Sequence, residues 1–353
     1  MKRILLVLSI LCLMAAPLQA QEGFQLFTNS IDPQTGSISF VWVDVTTGKQ
    51  TRLASFTSSG NCHPERLGNT FLYEPQTPGG NAEVYQVDLT NGNILPFAAA
   101  AEQQLHCPAV NPTGSQITWL QHGEEAQSIV LTDVIGANPV VLATHPSIYD
   151  ANWSPDGTIL TYTAVGDDQT FRQLYAYTDS LTEFWPRNAG LVIDTLWTPD
   201  SQTLLIAYYT QDEAIVGTLS QSCVIQGGCA PTPLATFPSE AGLILENAFS
   251  PDGSQFIVIQ ETNDGMGVFN SELMVVDLAT GSARQLVDMP GLIKTSAVWI
   301  GDMIYFIGSV FDESTFTMSD SAIYTVSPQG GSPNIAYQAD DYLPTQIFWV
   351  AQS

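Results

Sequence analysis

Short apolar runs of four or five residues alternate along the chain with clusters of Gly, Pro, Asn, Asp and Ser, a rhythm that predicts β-strands joined by tight turns. Three segments nearly coincide: Trp153-Ser154-Pro155-Asp156-Gly157, Trp197-Thr198-Pro199-Asp200-Ser201 and Phe249-Ser250-Pro251-Asp252-Gly253. Each precedes an apolar run, over 159–163, 204–208 and 256–259. Weaker copies start at Arg66, Val110 and Trp299. In such a segment Pro presets the turn backbone, Asp or Ser accepts local N–H groups, and Gly suits the closing position. Between the copies lies a second unit of strand, turn and strand. It is clearest around Thr46-Thr47-Gly48, Thr90-Asn91-Gly92 and Ala279-Thr280-Gly281, and looser copies bring the count to seven. No amphipathic helix is predicted after the N-terminal segment, so the expected class is all-β.

The leading residue of the first unit defines a slot, occupied by Arg66, Val110, Trp153, Trp197, Phe249, Trp299 and finally Trp349, at intervals of 43 to 52 residues that average about 47. That is close to the length of a four-stranded propeller blade. Residues after Gln21 begin in mid-blade without an innermost strand, and 345–350 supply one at the other end. The predicted fold is therefore a single seven-bladed β-propeller over residues 21–353, with N- and C-terminal strands sharing one blade so that the ring closes and an exposed edge disappears. Six blades is the alternative, should one repeat have decayed into a loop. Trp153, Trp197, Trp299 and Trp349 are expected to pack between blades.

The "WSPDG" and "FSPDG" strings and the "VVDLATG" hairpin at 275–281 resemble the TolB-like, Trp-Asp-repeat-like β-propellers, which also form the propeller domains of prolyl oligopeptidase-like enzymes. The resemblance covers essentially the whole mature chain and implies fold rather than chemistry. Known members are mostly periplasmic or extracellular binding and scaffolding proteins, or gating domains attached to a hydrolase. The length here leaves no room for a hydrolase, so a stand-alone propeller is expected.

Lys2 and Arg3, the apolar run 4–16 and Pro17-Leu18-Gln19-Ala20 read as a secretory signal peptide over residues 1–20, predicting a periplasmic or extracellular protein. No later segment reaches the roughly 18 apolar residues of a membrane span. Lys and Arg number only 9 against 35 Asp and Glu, a formal charge of -26. Such a chain repels phosphate backbones and anionic lipid, which excludes a nucleic-acid binder. With 7 cations left after residue 20, at least 28 carboxylates have no exclusive basic partner, so ion-pair networks cannot hold the ring together. Moderate acidification should then be tolerated, because protonation relieves self-repulsion.

Four cysteines remain in the mature chain, and an even count in an exported protein favours disulfides, with three connectivities open. Cys223–Cys229 with Cys62–Cys107 is the favoured pairing. Cys62-His63 and His106-Cys107 precede prolines at equivalent places in neighbouring blades, so they should be close. Two Cys and two His also suit a tetrahedral zinc site, which an oxidising compartment disfavours.

Three residues before each slot stands a polar residue: His63, Cys107, Asp150, Asp194, Glu246, Ser296 and Gln346. Either these cap strand ends and face water, or they ring one mouth of the central channel. In the second case Asp150, Asp194 and Glu246 form an anionic funnel, with His63, Ser296 and Gln346 beside them and Arg66 as the nearby cation. Asp156, Asp200 and Asp252 recur in every strong repeat, which marks turn architecture. Asp167-Asp168 and Asn263-Asp264-Gly265 match no complete calcium loop, and Asn152-Trp153-Ser154, a formal glycosylation acceptor, lies in a predicted inner strand. The chain has no Gly-x-Ser-x-Gly elbow, His-Glu-x-x-His motif, phosphate loop or dinucleotide fingerprint, so no cofactor and no resident metal are expected.

Two functional classes remain. The first is a non-catalytic exported propeller, expected to be a monomer, that binds a protein, peptide or glycan, cationic or metal-bridged, at a channel mouth or loop face. The second is a propeller enzyme of lyase or glycosidase type using mouth carboxylates. The scarcity of His and the lack of a catalytic signature favour the first.

Overall fold

The computed structural model describes residues 24–352 apart from 33, 61, 77–82, 166–171, 186–189, 264–268, 313–316 and 339–342. The signal-peptide segment and the Asp167-Asp168 and Asp264-Gly265 loops lie outside these residues. Seven four-stranded antiparallel sheets follow one another around a ring: the chain is a seven-bladed β-propeller, and the six-blade alternative is excluded. Numbered from the closing blade, the innermost strands are Leu343–Gln352, Glu65–Leu67, Leu105–Val110, Ile148–Trp153, Leu191–Trp197, Gly242–Phe249 and Leu292–Ile300. Blade 1 combines the last strand with Phe24–Ile31, paired from Phe24 opposite Gln352 to Ile31 opposite Leu343. No helix among the described residues is long and apolar enough to cross a membrane.

The core is divided. Seven apolar clusters form, and each joins two consecutive blades. Phe27 and Phe40 of blade 1 meet Phe71 and Tyr73 of blade 2, and Tyr305 and Ile323 of blade 7 meet Phe24 and Val41 of blade 1. The second strands of the blades bury both faces, which is why 160–164, 204–208 and 256–259 read as largely continuous apolar runs rather than as alternating ones. Two of the slot tryptophans tie their blade to the preceding one, with Trp153 Nε1 donating to Ala109 O at 3.2 Å and Trp197 Nε1 to Thr161 Oγ1 at 3.2 Å. Trp299 packs in the cluster between blades 6 and 7 but donates locally, to Gly301 O.

The repeated turns are structural, as their recurrence implies. In blades 4, 5 and 6 the hydroxyl of Ser154, Thr198 or Ser250 donates to Asp156, Asp200 or Asp252 at 2.6–2.7 Å, and the same carboxylates accept from Thr158, Gln202 and Ser254 N–H. The closing residue needs a left-handed backbone, supplied by Gly157 and Gly253 at φ 70° and 71° and by Ser201 at 61°. Ser201 is not glycine because its Oγ accepts from Asp156 N–H of the preceding blade at 2.9 Å.

Two six-residue helices, Ala98–Gln103 and Gln221–Gln226, depart from the all-strand expectation. The first is an Ala-rich insert, and the second is capped by Ser220 and closed by the Cys223–Cys229 disulfide.

Candidate functional site

The inner strands do not run smoothly past the polar ring. The pairing register shifts between His106 and Ala109, Ile148 and Ala151, Val192 and Asp194, Leu245 and Phe249, and Lys294 and Ser296. Each shift brackets or ends on the ring position of its blade, and the closing blade skips Thr345 and Phe348 on either side of Gln346. A β-bulge re-aims a side chain out of the sheet plane, so the ring is built by a repeated backbone irregularity.

Four ring members act as one electrostatic unit. His63 interacts with Asp150, Asp150 with Asp194, and Asp194 with Glu246. Gln346 Nε2 donates to His63 Nδ1 at 2.7 Å across the boundary between blades 1 and 2, above a cavity of about 230 Å³ that Phe348 and Tyr73 also line. Several ring residues accept backbone N–H groups, as the strand-capping reading expects. Asp194 accepts from Thr195 N–H at 2.7 Å and from Leu245 N–H of the next blade at 2.8 Å. Glu246 accepts from Ala297 N–H at 3.3 Å, and Ser296 Oγ from Ile347 N–H at 3.3 Å, again on the next blade. These residues do cap backbone N–H groups, but they do so between blades, and Asp194 and Glu246 are half-buried while Ser296 is fully buried. Asp150 and His63 remain exposed.

Arg66 makes its hydrogen bond within its own blade. It lies on the innermost strand of blade 2 opposite Phe71, and its Nε donates to Gly68 O of the following turn at 3.2 Å. The cation next to Asp150 is Arg172, whose guanidinium lies 3.8 Å over the ring of exposed Tyr149 and whose charge pulls the Asp150 carboxyl down against its desolvation. Glu65 is a further carboxylate that sequence reasoning missed, accepting from Val110 N–H of blade 3 at 3.3 Å. Its place one residue before the slot, out of phase with the ring, carried no repeat signal.

Desolvation sets the titration of these carboxylates. It pushes Asp194 up to about 6 and Glu246 and Glu65 up to about 7, against the pull of their N–H donors. It raises Asp150 as well, and it lowers His63. Between about pH 4 and 7 the folded carboxylates therefore hold more protons than the unfolded ones, so stability rises as pH falls through that window. His63 and His122 work the other way below about pH 6.5. The turn aspartates, lowered by their N–H and hydroxyl donors, Asp252 to about 2, lose their stabilising contribution only at more acid pH. We expect the melting temperature to rise from pH 8 to about 5 and to fall steeply below about 4, with a flatter upper limb in Glu246→Gln. Calorimetry across this range checks it, and a fall from pH 8 to 5 contradicts it.

The two cysteine bonds are Cys62–Cys107, joining blade 2 to blade 3, and Cys223–Cys229. With both sulfurs of the first pair bonded and His63 turned to Gln346, the zinc alternative for Cys62, His63, His106 and Cys107 is not formed. Buried Glu74 lies beside that disulfide instead. Its Oε2 accepts from Cys107 N–H at 2.9 Å and its Oε1 is 2.7 Å from His106 Nδ1.

No protein-family model and no curated protein matches the sequence. Solved structures similar to the chain include an oligogalacturonate lyase from Vibrio parahaemolyticus, with a TM-score of 0.58 at 11% identity over 86% of this chain and 91% of that one. A putative TolB from Agrobacterium tumefaciens gives 0.51 at 16% identity, covering 73% and 88%. A puromycin-hydrolyzing peptidase from Mycobacterium tuberculosis gives 0.59 at 13% identity over 90% of this chain, which spans 53% of that longer protein. The resemblance to TolB-like propellers thus holds at the level of fold. That fold is shared by enzymes and TolB proteins, and it does not by itself assign an activity.

Proposed function

We propose that the chain is an exported, non-catalytic binding propeller that recognises a protein, peptide or glycan at the mouth formed by His63, Asp150, Asp194, Glu246 and Gln346. The observation that carries this reading is the placement of three carboxylates on the innermost strands of consecutive blades, where the charges of Asp150 and Asp194 each raise the next carboxyl group. In a chain of net charge -26 this favours ligands that present ammonium or guanidinium groups, or that reach the mouth through a metal bridge. The stacking of Arg172 on Tyr149 beside Asp150 supplies an internal example of the contact such a ligand would make. Two disulfides support export to an oxidising compartment. Asp194 and Glu246 are engaged in holding N–H groups of neighbouring blades, which favours binding over proton transfer.

Fluorescence anisotropy with a labelled Lys-rich hexapeptide and its Glu-rich counterpart tests the reading. The Lys peptide should bind and the Glu peptide should not. The triple variant Asp150→Asn, Asp194→Asn, Glu246→Gln should weaken binding about tenfold or more. Equal affinity in wild type and triple variant would sink it.

A further inference from the structure

A second constellation lies outside the ring of mouth residues, on the inner two strands of blade 3. His106 pairs with Leu120 across the strands Leu105–Val110 and Gln116–His122, so His122, two residues beyond Leu120, falls diagonally on the same face. The two imidazole rings meet edge to face with centroids 4.7 Å apart. His106 is held in place from behind. The Glu74 carboxylate, 1% exposed, lies 2.7 Å from His106 Nδ1 and is itself pinned by Cys107 N–H. An ionised Glu74 takes the Nδ1 proton as its hydrogen bond and leaves Nε2 with a bare lone pair, the carboxylate–histidine arrangement that orients imidazole ligands at metal sites. His122 is exposed and leads into a tight turn, Gly123 N–H donating to Ala126 O at 2.8 Å, whose tip carries the exposed carboxylates Glu124 and Glu125.

We propose that His106 and His122 form a two-imidazole surface site for a divalent transition-metal ion, with Glu74 as the positioning residue behind His106 and solvent completing the coordination. Two imidazoles select Cu²⁺, Ni²⁺ or Zn²⁺ and discriminate against Ca²⁺ and Mg²⁺, which take oxygen ligands. The disulfide Cys62–Cys107 keeps the backbone beside His106 in register, and its sulfurs take no part as ligands.

The test uses the disulfide-intact protein without a polyhistidine tag. Cu²⁺ is titrated with electron paramagnetic resonance as the readout and Zn²⁺ by calorimetry, both in excess Mg²⁺ to occupy non-specific carboxylates. The expected result is one equivalent bound with nitrogen hyperfine structure from two imidazoles. His122→Ala, an exposed change, should lose one nitrogen and at least about tenfold in affinity, and Glu74→Gln should weaken binding about 10–100-fold while circular dichroism remains native. His63→Ala should leave binding unchanged. Absence of an Mg²⁺-resistant site, unaltered affinity in His122→Ala, or loss of binding in His63→Ala would each overturn the proposal.

Discussion

Replacing Lys294 with alanine should lower the unfolding free energy by about 3–5 kcal/mol, the usual cost of removing one partner of a buried charged contact. Lys294 sits on the innermost strand of blade 7 and is wholly buried. Its ammonium donates to Ser271 O at 2.7 Å and Met289 O at 3.0 Å and lies 3.6 Å from the Glu272 carboxylate. One cation thus ties blade 7 to blade 6 in a chain that has few to spare. Desolvation lowers its pKa, opposed by the charge of Glu272. Alanine leaves a cavity, two carbonyls without their donor and a carboxylate without its cation. Lys294→Met fills the space but keeps the polar defects, so it should recover part of the loss, leaving about 1–3 kcal/mol. Urea unfolding of the three proteins separates the terms. Equal stability of wild type and Lys294→Ala would show that the buried ammonium costs as much as its contacts return.

Opening the Cys62–Cys107 bond by a Cys62→Ser, Cys107→Ser double substitution should cost about 4 kcal/mol, and opening Cys223–Cys229 about 2 kcal/mol. The difference follows from loop length, since the first bridge spans 45 residues and the second 6, and closing a longer loop removes more freedom from the unfolded chain. The first bridge also links two blades, whereas the second closes a local helix and turn on blade 5. Unfolding in urea without reductant measures both. Equal costs would locate the effect of the first bridge in native contacts rather than in chain entropy.

The ring itself was legible from the slot residues because blade architecture is written locally. The Ser-Pro-Asp-Gly turns need particular residues at fixed offsets, and the strand that follows each turn needs apolar side chains on both faces. The positions three before each slot were legible for the same reason of phase. What they do was not. Asp194 and Glu246 accept N–H groups on the next blade 51 residues away, and no local pattern encodes that partner. Arg66 shares the phase of the tryptophans, which drew it into the candidate set, yet its guanidinium stays with the Gly68 carbonyl of its own turn. Lys294 and Glu65 repeat in no other blade, so periodicity passed over them. His122 carries no motif and gains its meaning only beside His106, through pairing that joins residues 106 and 120.

By itself the sequence determined the propeller class, its repeat of about 47 residues, the way the ring closes, the favoured disulfide pairing and the acidic character of the chain, while the choice between six and seven blades fell to the seven sheets of the fold. Those properties depend on residue order, turn chemistry and charge, and each is local or additive. The tertiary structure alone decided which carboxylates lose their water, which N–H groups they hold and which histidines meet. Desolvation and hydrogen bonding across a blade boundary depend on where a bulge turns a side chain, and that direction exists only once neighbouring blades are in place.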